Sequence, residues 1–381
     1  MTLGTSGRVL AATVAMGVIV AVAAANAKQA EMPADAVNRL NAARAPVPAG
    51  SVIRVSHNQL IDGNGRPVRL LGINRSGTQY ACVEGWGVFD GPVDDHAVQA
   101  IASWGVTAVR VSLNEDCWLG INGAPRRYSG VNYRRGIASF VARLQRRNLF
   151  VVLDLHWNAP GHQLARDQQA MPDRDHAPAF WRSVASTFRT RRGVVFDLYN
   201  EPYPDRNRNT PAAWRCVRDG GRCAGVPFVA AGSRELLAAV RSTGSRNVVL
   251  VGGPQYAGAV DRWLAFAPKD SAKQLAASIH IYGPDWSPCW QSRCWNSEIA
   301  PLARRVPVVI GEMGNKDCRT SLIDPLMAWS DAHRVSYLAW SWIDGDCAGE
   351  PALIKSYAGE PTTYGVGLRS HLLSLRDGTA R

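Results

Sequence analysis

Eight short apolar runs alternate with longer amphipathic stretches between residues 70 and 342, and this alternation constrains the fold most. Near-continuous apolar runs predict strands of a parallel sheet whose two faces are both covered by helices. Eight such strands predict a closed (β/α)8 TIM barrel of the α/β class. An open doubly wound sheet would need a glycine-rich nucleotide turn after its first strand, and the sequence has none there. The predicted strands are 70–74, 108–113, 150–156, 194–200, 247–253, 277–282, 306–312 and 336–342.

The segment before the first barrel strand predicts an N-terminal β-hairpin. Apolar residues cluster at 52–55, 59–61 and 68–71, and the second and third clusters flank the turn sequence Asp-Gly-Asn-Gly at 62–65. Glycine and asparagine adopt the backbone angles that tight hairpin turns need.

The first 27 residues predict a secretory signal. Arg8 precedes the uncharged apolar stretch 9–22, and Ala25-Asn26-Ala27 gives the small-x-small pattern of a signal peptidase site. An uncleaved membrane anchor is the alternative interpretation of this weakly hydrophobic stretch. Residues 28–50 are rich in alanine and proline and predict a linker, which leaves 51–381 for one barrel domain. No later run is long and apolar enough to predict a membrane span.

The chain has eight cysteines, an even number that, together with a secretory signal, predicts disulfides and an extracellular location. Two pairs are local in sequence, and two more are predicted because their members follow neighbouring strands. Their spacings do not suit a zinc ribbon. The predicted pairs are Cys82–Cys117, Cys216–Cys223, Cys289–Cys294 and Cys318–Cys347.

The formal net charge is +12, and only five of the 43 basic residues are lysines. A basic surface can favour acidic partners such as nucleic acid or an anionic polysaccharide. No basic run interleaved with aromatics is present, so a compositional bias towards arginine is the favoured interpretation. We therefore expect no nucleic-acid partner, and we expect a monomer.

Polar residues follow the predicted strands at the ends where barrel active sites form. Buried strands have no structural need for such a ring of side chains at one end. The set consists of Asn74, Arg110 within its strand, His156, Asn200, Glu201, His280, Tyr282, Glu312 and Trp340.

Two members of this set are glutamates at the ends of separate buried strands. Glu201 lies in Asn-Glu-Pro, where the proline cannot continue the hydrogen bonds of the strand. Glu312 lies in Ile-Gly-Glu. Paired carboxylates are the groups that hydrolyse glycosidic bonds. The structural alternatives are a helix-capping role for Glu201 and a simple ion pair with arginine for Glu312.

The ordered set resembles glycoside hydrolase family 5, retaining β-glycanases that include many cellulases, over roughly residues 50–370. The resemblance implies that Glu201 is the general acid/base and Glu312 the nucleophile. It also implies that Arg110 and Tyr282 contact Glu312 and that Asn200 contacts the sugar 2-hydroxyl. The matching segments are Val109-Arg110-Val111, Asp154-Leu155-His156-Trp157, Asn200-Glu201-Pro202, His280-Ile281-Tyr282, Ile310-Gly311-Glu312 and Trp340-Ser341.

The remaining candidates concern substrate binding. His156 and His280 are expected to bind hydroxyls or orient the carboxylates, although each could be a satisfied core histidine. Indole rings stack on pyranose faces, and Trp340 is the first candidate for this role. The further substrate-binding candidates are Asn74, Trp86, Trp157 and Trp342, with Trp118 and Trp286 as weaker ones, whereas Trp104, Trp181 and Trp329 are expected in the core.

Together these features predict a secreted retaining glycosidase acting on a β-linked polysaccharide. The resemblance to the cellulase branch favours an endo-β-1,4-glucanase. Alternatives are an enzyme for mannan, β-1,3-glucan, glycolipid or another cell-wall polymer, a transglycosylase, and a non-catalytic carbohydrate-binding barrel. The first predicted strand ends in Asn74-Arg75-Ser76 rather than His-x-His, so we expect no catalytic metal and no cofactor.

Overall fold

The structure is a computed structural model that describes residues 52–315, 317–347 and 350–378. The predicted secretory signal at 1–27 and the linker at 28–50 lie outside the described residues and stay predictions. Within the described part, no helix is both long and apolar enough to cross a membrane.

Eight parallel strands form a closed barrel, which confirms the predicted (β/α)8 fold. Each strand pairs with the next in chain order, and the last strand returns to pair with the first. The eight are β4 (Leu71–Arg75), β5 (Ala108–Asn114), β6 (Phe150–Trp157), β7 (Val194–Asp197), β10 (Val249–Gly252), β11 (Leu275–Tyr282), β12 (Val308–Gly314) and β13 (Ser336–Ala339).

Alternation along β5 and β6 decides which side chains enter the barrel. Successive side chains point to opposite faces of a strand. In β5, Val109 and Val111 belong to the apolar layer beneath the helices, so Arg110 faces the interior. In β6, Leu153 and Leu155 pack outward in the same layer. This period of two places the polar residues of the carboxyl-terminal halves inside the barrel.

A small sheet covers the amino-terminal end of the barrel. It consists of β1 (Ile53–Ser56), β2 (Gln59–Asp62) and β3 (Pro67–Val68), paired antiparallel as the sequence predicts. Ile53 and Leu60 pack in one apolar cluster with residues from the beginnings of the barrel strands. The polar site is therefore confined to the opposite, carboxyl-terminal end.

Helices surround the barrel and bury one apolar face each. In Val131–Arg146 the buried residues include Ile137, Phe140 and Leu144, spaced three and four apart as on one helical face. Full burial of such a side chain stabilises the fold by roughly 1.5–3 kcal/mol. The helices are Asp95–Ala102, Glu115–Leu119, Val131–Arg146, Ala177–Phe188, Pro204–Asn207, Pro211–Asp219, Ser233–Arg241, Trp263–Phe266, Ser292–Cys294, Ala300–Ala303, Ile323–Ala332 and Thr363–Arg376, with a π-helical turn at Trp295–Ile299.

Two hairpins extend from the barrel. The pair β8 (Gly220–Arg222) and β9 (Val229–Ala231) lies in the insertion after β7, and β14 (Ile354–Ser356) pairs with β15 (Glu360–Pro361) after β13.

All four predicted disulfides are present. Cys82–Cys117 joins the segments that follow β4 and β5, and Cys318–Cys347 joins those that follow β12 and β13. Cys216–Cys223 and Cys289–Cys294 close short loops. The bridged cysteines therefore all lie in segments that follow the carboxyl-terminal ends of barrel strands, where they restrain the surroundings of the polar site.

Candidate active site

Arg110 and Tyr282 hold the Glu312 carboxylate from two sides. Arg110 Nη1 donates to Glu312 Oε1 over 2.6 Å, and the Tyr282 hydroxyl donates to Oε2 over 2.5 Å. All three side chains are buried. Burial first, and then the negative charge of Glu312, raises the pKa of Tyr282, so its hydroxyl keeps its proton and remains a donor.

Three carboxylates surround the Arg110 guanidinium. Besides Glu312, Asp197 accepts from Nε at 3.1 Å and Asp154 lies 3.2 Å from Nη2. Burial opposes the charged form of Arg110, but Asp154, Glu312 and Asp197 outweigh it and raise its pKa. Arg110 therefore provides a fixed positive charge beneath Glu312.

Glu201 stands where the chain leaves β7, in left-handed backbone geometry with φ +49°. Its side chain is 18% exposed, and its Oε1 lies 2.9 Å from His280 Nδ1. Burial raises the pKa of Glu201 to about 7. Desolvation is the main cause of this rise, and Asp154 is a like charge that adds to it.

The two glutamates face each other across His280. One carboxylate oxygen of each lies within 4.8 Å of the other and of a His280 ring nitrogen. Burial lowers the pKa of His280 to about 4, so the ring is neutral near pH 7. The three side chains have the spacing of a metal site, but Arg110 and Tyr282 already occupy the Glu312 oxygens. A second group, Cys289, Cys294 and Glu298, has its sulfurs in a disulfide.

His156 and Trp340 stack in parallel at the rim of the site. Their ring centroids are 5.4 Å apart at an interplanar angle of 13°. His156 Nδ1 bonds Asp154 at 2.7 Å, and Trp340 Nε1 donates to Glu350 at 2.9 Å. Both rings are thus fixed in orientation before any ligand binds.

Asn200 and Asn74 both bind Arg110 through their side-chain oxygens, each at 3.0 Å. Asn200 also donates to Gln168 over 2.9 Å. Asn74 is completely buried, and its amide donates to the Gly311 carbonyl. The prediction that Asn74 binds substrate is therefore wrong. Its hydrogen bond to Arg110 Nη1 makes it a support for that guanidinium.

Trp342 is also not a substrate-binding residue. It is completely buried and packs edge-on against Trp104, with ring centroids 4.8 Å apart. After Trp340 the chain turns back into the protein, where Trp342 N donates to the Asn74 carbonyl. Trp118 is completely buried as well, so it belongs to the core.

An aromatic wall extends the site beyond β4 and β6. Tyr80 lies between Trp86 and Trp157, with centroid distances of 5.8 and 6.1 Å. The Tyr80 hydroxyl donates to Asp90 at 2.6 Å, which fixes its ring. Trp86 is 66% exposed, so its face is available to a ligand.

A second aromatic pair lies on the Glu201 side and was not predicted. Tyr203 and Tyr256 pack with their ring centroids 4.7 Å apart and their planes tilted by 32°, and Tyr256 is 39% exposed. Tyr256 N donates to the carbonyl of Pro202, the residue after Glu201. Tyr256 stands in a turn of left-handed residues, which periodicity does not reveal. Nearby, Trp286 packs edge-on against Tyr282 at 5.6 Å.

Sequence reasoning assigned no role to the supporting groups Asp154, Asp197 and Gln168. The strand period could have identified Asp154, which lies two residues before His156 and so shares its inward face. Gln168 lies in a loop without a periodic signal, yet its side-chain amide donates to the Glu201 carbonyl at 2.8 Å.

The chain is similar to a known protein family and to several characterised proteins. A family model described as cellulase (glycosyl hydrolase family 5) matches residues 61–346, well over half of the chain. A mannan endo-1,4-beta-mannosidase of Streptomyces lividans is 24% identical over 317 residues, covering 79% of this chain and 68% of its own length. A cellulase of Thermoanaerobacterium sp is 21% identical over 298 residues, covering 74% and 67%.

Solved structures share the fold. A β-glucanase of Saccharophagus degradans, also solved in complex with cellotetraose, has a TM-score of 0.65 at 18% identity and covers 85% of this chain and 94% of its own. The catalytic domain of a Thermobifida fusca endoglucanase has a TM-score of 0.63 at 18% identity, covering 86% and 99%. The match to the family model shows that this chain belongs to glycosyl hydrolase family 5 and is a glycosidase that hydrolyses O-glycosyl bonds.

Proposed function

We propose that the enzyme cleaves a β-linked polysaccharide with net retention, with Glu312 as nucleophile and Glu201 as general acid/base. The observation that carries the proposal is the close approach of the two carboxylates, whose oxygens come within 4.8 Å. Retaining glycosidases hold their carboxyl groups about 5–5.5 Å apart, whereas inverting enzymes need about 6.5–9.5 Å to admit a water.

In the first step, Glu312 attacks the anomeric carbon while the glycosidic bond breaks. The proton of Glu201 goes to the departing oxygen, so the leaving sugar departs neutral and Glu201 becomes ionised. The product is a glycosyl ester of Glu312. A pKa of about 7 suits this task, because Glu201 is mostly protonated below that pH and can still release its proton.

In the second step, ionised Glu201 takes a proton from water, and the hydroxide attacks the anomeric carbon. The ester bond to Glu312 breaks, which returns that carboxylate and restores the proton on Glu201. Arg110 and Tyr282 bind Glu312 before the reaction and after it, so they stabilise the ionised nucleophile and leaving group.

The favoured substrate is a β-1,4-glucan, with mannan as the second candidate. Two named relatives support this range, one a cellulase and one an endo-1,4-beta-mannosidase. The exposed rings of Trp86 and Tyr256 on two sides of the carboxylates suit a chain of several sugars, as in endo cleavage. The presence of both glutamates argues against a non-catalytic binding barrel. Transglycosylation would use the same two residues.

We also propose that the enzyme is secreted as a monomer. The four disulfides support an oxidising compartment, and the predicted signal at 1–27 supports export. Detection of the mature chain in the culture medium, with its amino terminus sequenced, tests this part separately.

The decisive experiment assays a panel of β-glucans and mannans with wild type, Glu312→Ala and Glu201→Ala. Glu360→Ala, which removes an exposed glutamate outside the site, is the matched control. We expect a loss of at least 10³-fold for the Glu312 variant and full activity for the control. Proton NMR of the first product anomer must show the β form. An α product, or undiminished hydrolysis by Glu312→Ala, would overturn the mechanism.

A further inference from the structure

Three arginines gather at the end of the barrel opposite the carboxylates. Arg54 belongs to β1, Arg192 precedes β7 and Arg246 precedes β10. The backbone brings them together, since Ile53 N donates to the Arg192 carbonyl over 3.0 Å. Arg246 lies in a loop next to Asn247, and the Asn247 side-chain amide donates to the Val194 carbonyl over 2.7 Å. We call Arg54, Arg192 and Arg246 the basic face.

No carboxylate within the described residues 52–315, 317–347 and 350–378 forms an ion pair with the basic face. Asp270, whose carboxylate accepts from the Gln274 backbone beside β1, is already held by two nitrogens of Arg241 at 2.9 and 2.8 Å. The Nε of Arg192 is buried and has no hydrogen-bond partner in this described part. Burial, and then Arg246, Arg241 and Arg54, lowers the pKa of Arg192, which reflects the lack of a counter-charge.

An arginine cluster without a counter-charge suits a ligand with several anionic groups. The guanidinium fork matches carboxylate geometry with two parallel hydrogen bonds. Arg54 and Arg246 are exposed, so they can reach a polymer lying across this end, and the positive charge of Arg192 adds to the attraction. Exposed Lys273, next to the Gln274 that binds Val55 N, adds positive charge beside β1.

We propose that the basic face binds an acidic polysaccharide, a polymer with repeated carboxylate groups, and so anchors the enzyme beside its neutral substrate. The positive charge of the basic face favours an anionic ligand. The four disulfides favour an extracellular setting, where the acidic polymers are glycans. The seven-residue strand β5 alone spans about 20 Å. The two ends are thus far enough apart to bind different chains at once.

The test measures binding of the full chain to polygalacturonate by titration calorimetry at several salt concentrations. The test variant is Arg54→Glu with Arg246→Glu, and the matched control is Arg126→Glu with Arg222→Glu, exposed arginines in segments that follow β5 and β7. We expect wild type and control to bind alike, more weakly as salt rises, and the test variant to bind about tenfold more weakly. Hydrolysis of a soluble neutral oligosaccharide is expected to be unchanged in both.

Three results would overturn the proposal. They are absence of polygalacturonate binding at low salt, equal loss in both double variants, and tighter binding to an oligonucleotide or to anionic phospholipid vesicles than to polygalacturonate. Oligosaccharide hydrolysis reports separately on folding and on the proposed catalytic function, so failure of one proposal is distinguishable from failure of the other.

Discussion

Arg110 Nη1 and Glu312 Oε1 lie 2.6 Å apart, and the arginine cannot turn away from this contact. Its Nε is held by Asp197 and its Nη2 by Asn200, so the guanidinium plane is fixed on three sides. The positive charge is thereby positioned before a substrate arrives. Preorganised charge of this kind contributes more to catalysis than charge that must reorient during the reaction.

Arg110→Lys tests this arrangement. Lysine keeps the charge but has a single nitrogen, so it cannot hold Glu312, Asp197 and Asn200 together. We expect kcat to fall by about 10²–10³-fold, the usual effect of losing one preorganised donor. The measurement is steady-state kinetics on an oligosaccharide, with thermal melting in parallel. Arg241→Lys alters the ion pair between Arg241 and Asp270, which lies away from the site. This variant should be less stable than wild type and have a kcat near the wild-type value.

The pH dependence should report the pKa of Glu201. Because the first step needs protonated Glu201 and burial raises its pKa to about 7, we expect kcat/KM to fall about tenfold per pH unit above pH 7. His280, with a pKa lowered to about 4, does not titrate in that window. A profile that stays flat to pH 9 on an oligosaccharide would contradict the assignment. An aryl glycoside with an acidic leaving group, which needs no proton, should retain a fast first step in Glu201→Ala.

The tyrosine pair beside Glu201 suggests where the leaving sugar binds. Since Glu201 protonates the departing oxygen, the leaving sugar must lie on its side, next to Tyr256. We expect Tyr256→Ala to lower kcat/KM on cellotetraose by about 2–10-fold, corresponding to about 0.5–1.5 kcal/mol of aromatic contact. Tyr256→Phe keeps the ring and should keep the rate. Hydrolysis of a glycosyl fluoride, whose leaving group is too small to fill this subsite, should not change; an equal loss there would refute the placement.

Trp86 and Trp342 offer a contrast between two tryptophans that sequence alone treats alike. Trp86→Ala removes an exposed ring, so we expect a higher KM for long oligosaccharides with unchanged melting. Trp342→Ala leaves a cavity against Trp104, so we expect about 3–5 kcal/mol lower unfolding free energy. Chemical denaturation and a chain-length series of substrates measure the two effects. A Trp342→Ala variant that raises KM as much as Trp86→Ala does would contradict the structure.

The barrel and its carboxylates could be predicted from the sequence because both depend on strand periodicity. Apolar runs reveal strands, and strand ends reveal Glu201 and Glu312. The complete burial of Asn74 and Trp342 could not be predicted, because it depends on where the chain turns after β4 and β13. Tyr256 and Gln168 stand in irregular loops, whose positions are set by tertiary contacts such as the Gln168–Asn200 hydrogen bond.

Glu115 is a buried acid that the proposed mechanism does not use, and it should limit stability at neutral pH. Its side chain is completely buried, and it lies against the carboxylate of Asp173. Burial, and then the charge of Asp173, raises the pKa of Glu115 well above its usual value. The folded protein therefore keeps a proton that the unfolded chain releases as the pH rises above about 4.5.

Glu115→Gln removes this proton linkage while keeping the shape of the protonated acid. The wild type loses stability as the pH rises from the pKa of Glu115 in the unfolded chain to its higher pKa in the folded protein. The variant should therefore melt at a higher temperature than wild type near pH 7 and at a similar temperature near pH 4. Melting curves across this pH range measure the difference in melting temperature between variant and wild type. Asp116 and the other titrating groups are present in both proteins, so their contributions cancel in this difference. Exposed Glu84→Gln should show no such trend. A melting difference that stays constant with pH would mean that Glu115 is ionised in the folded protein.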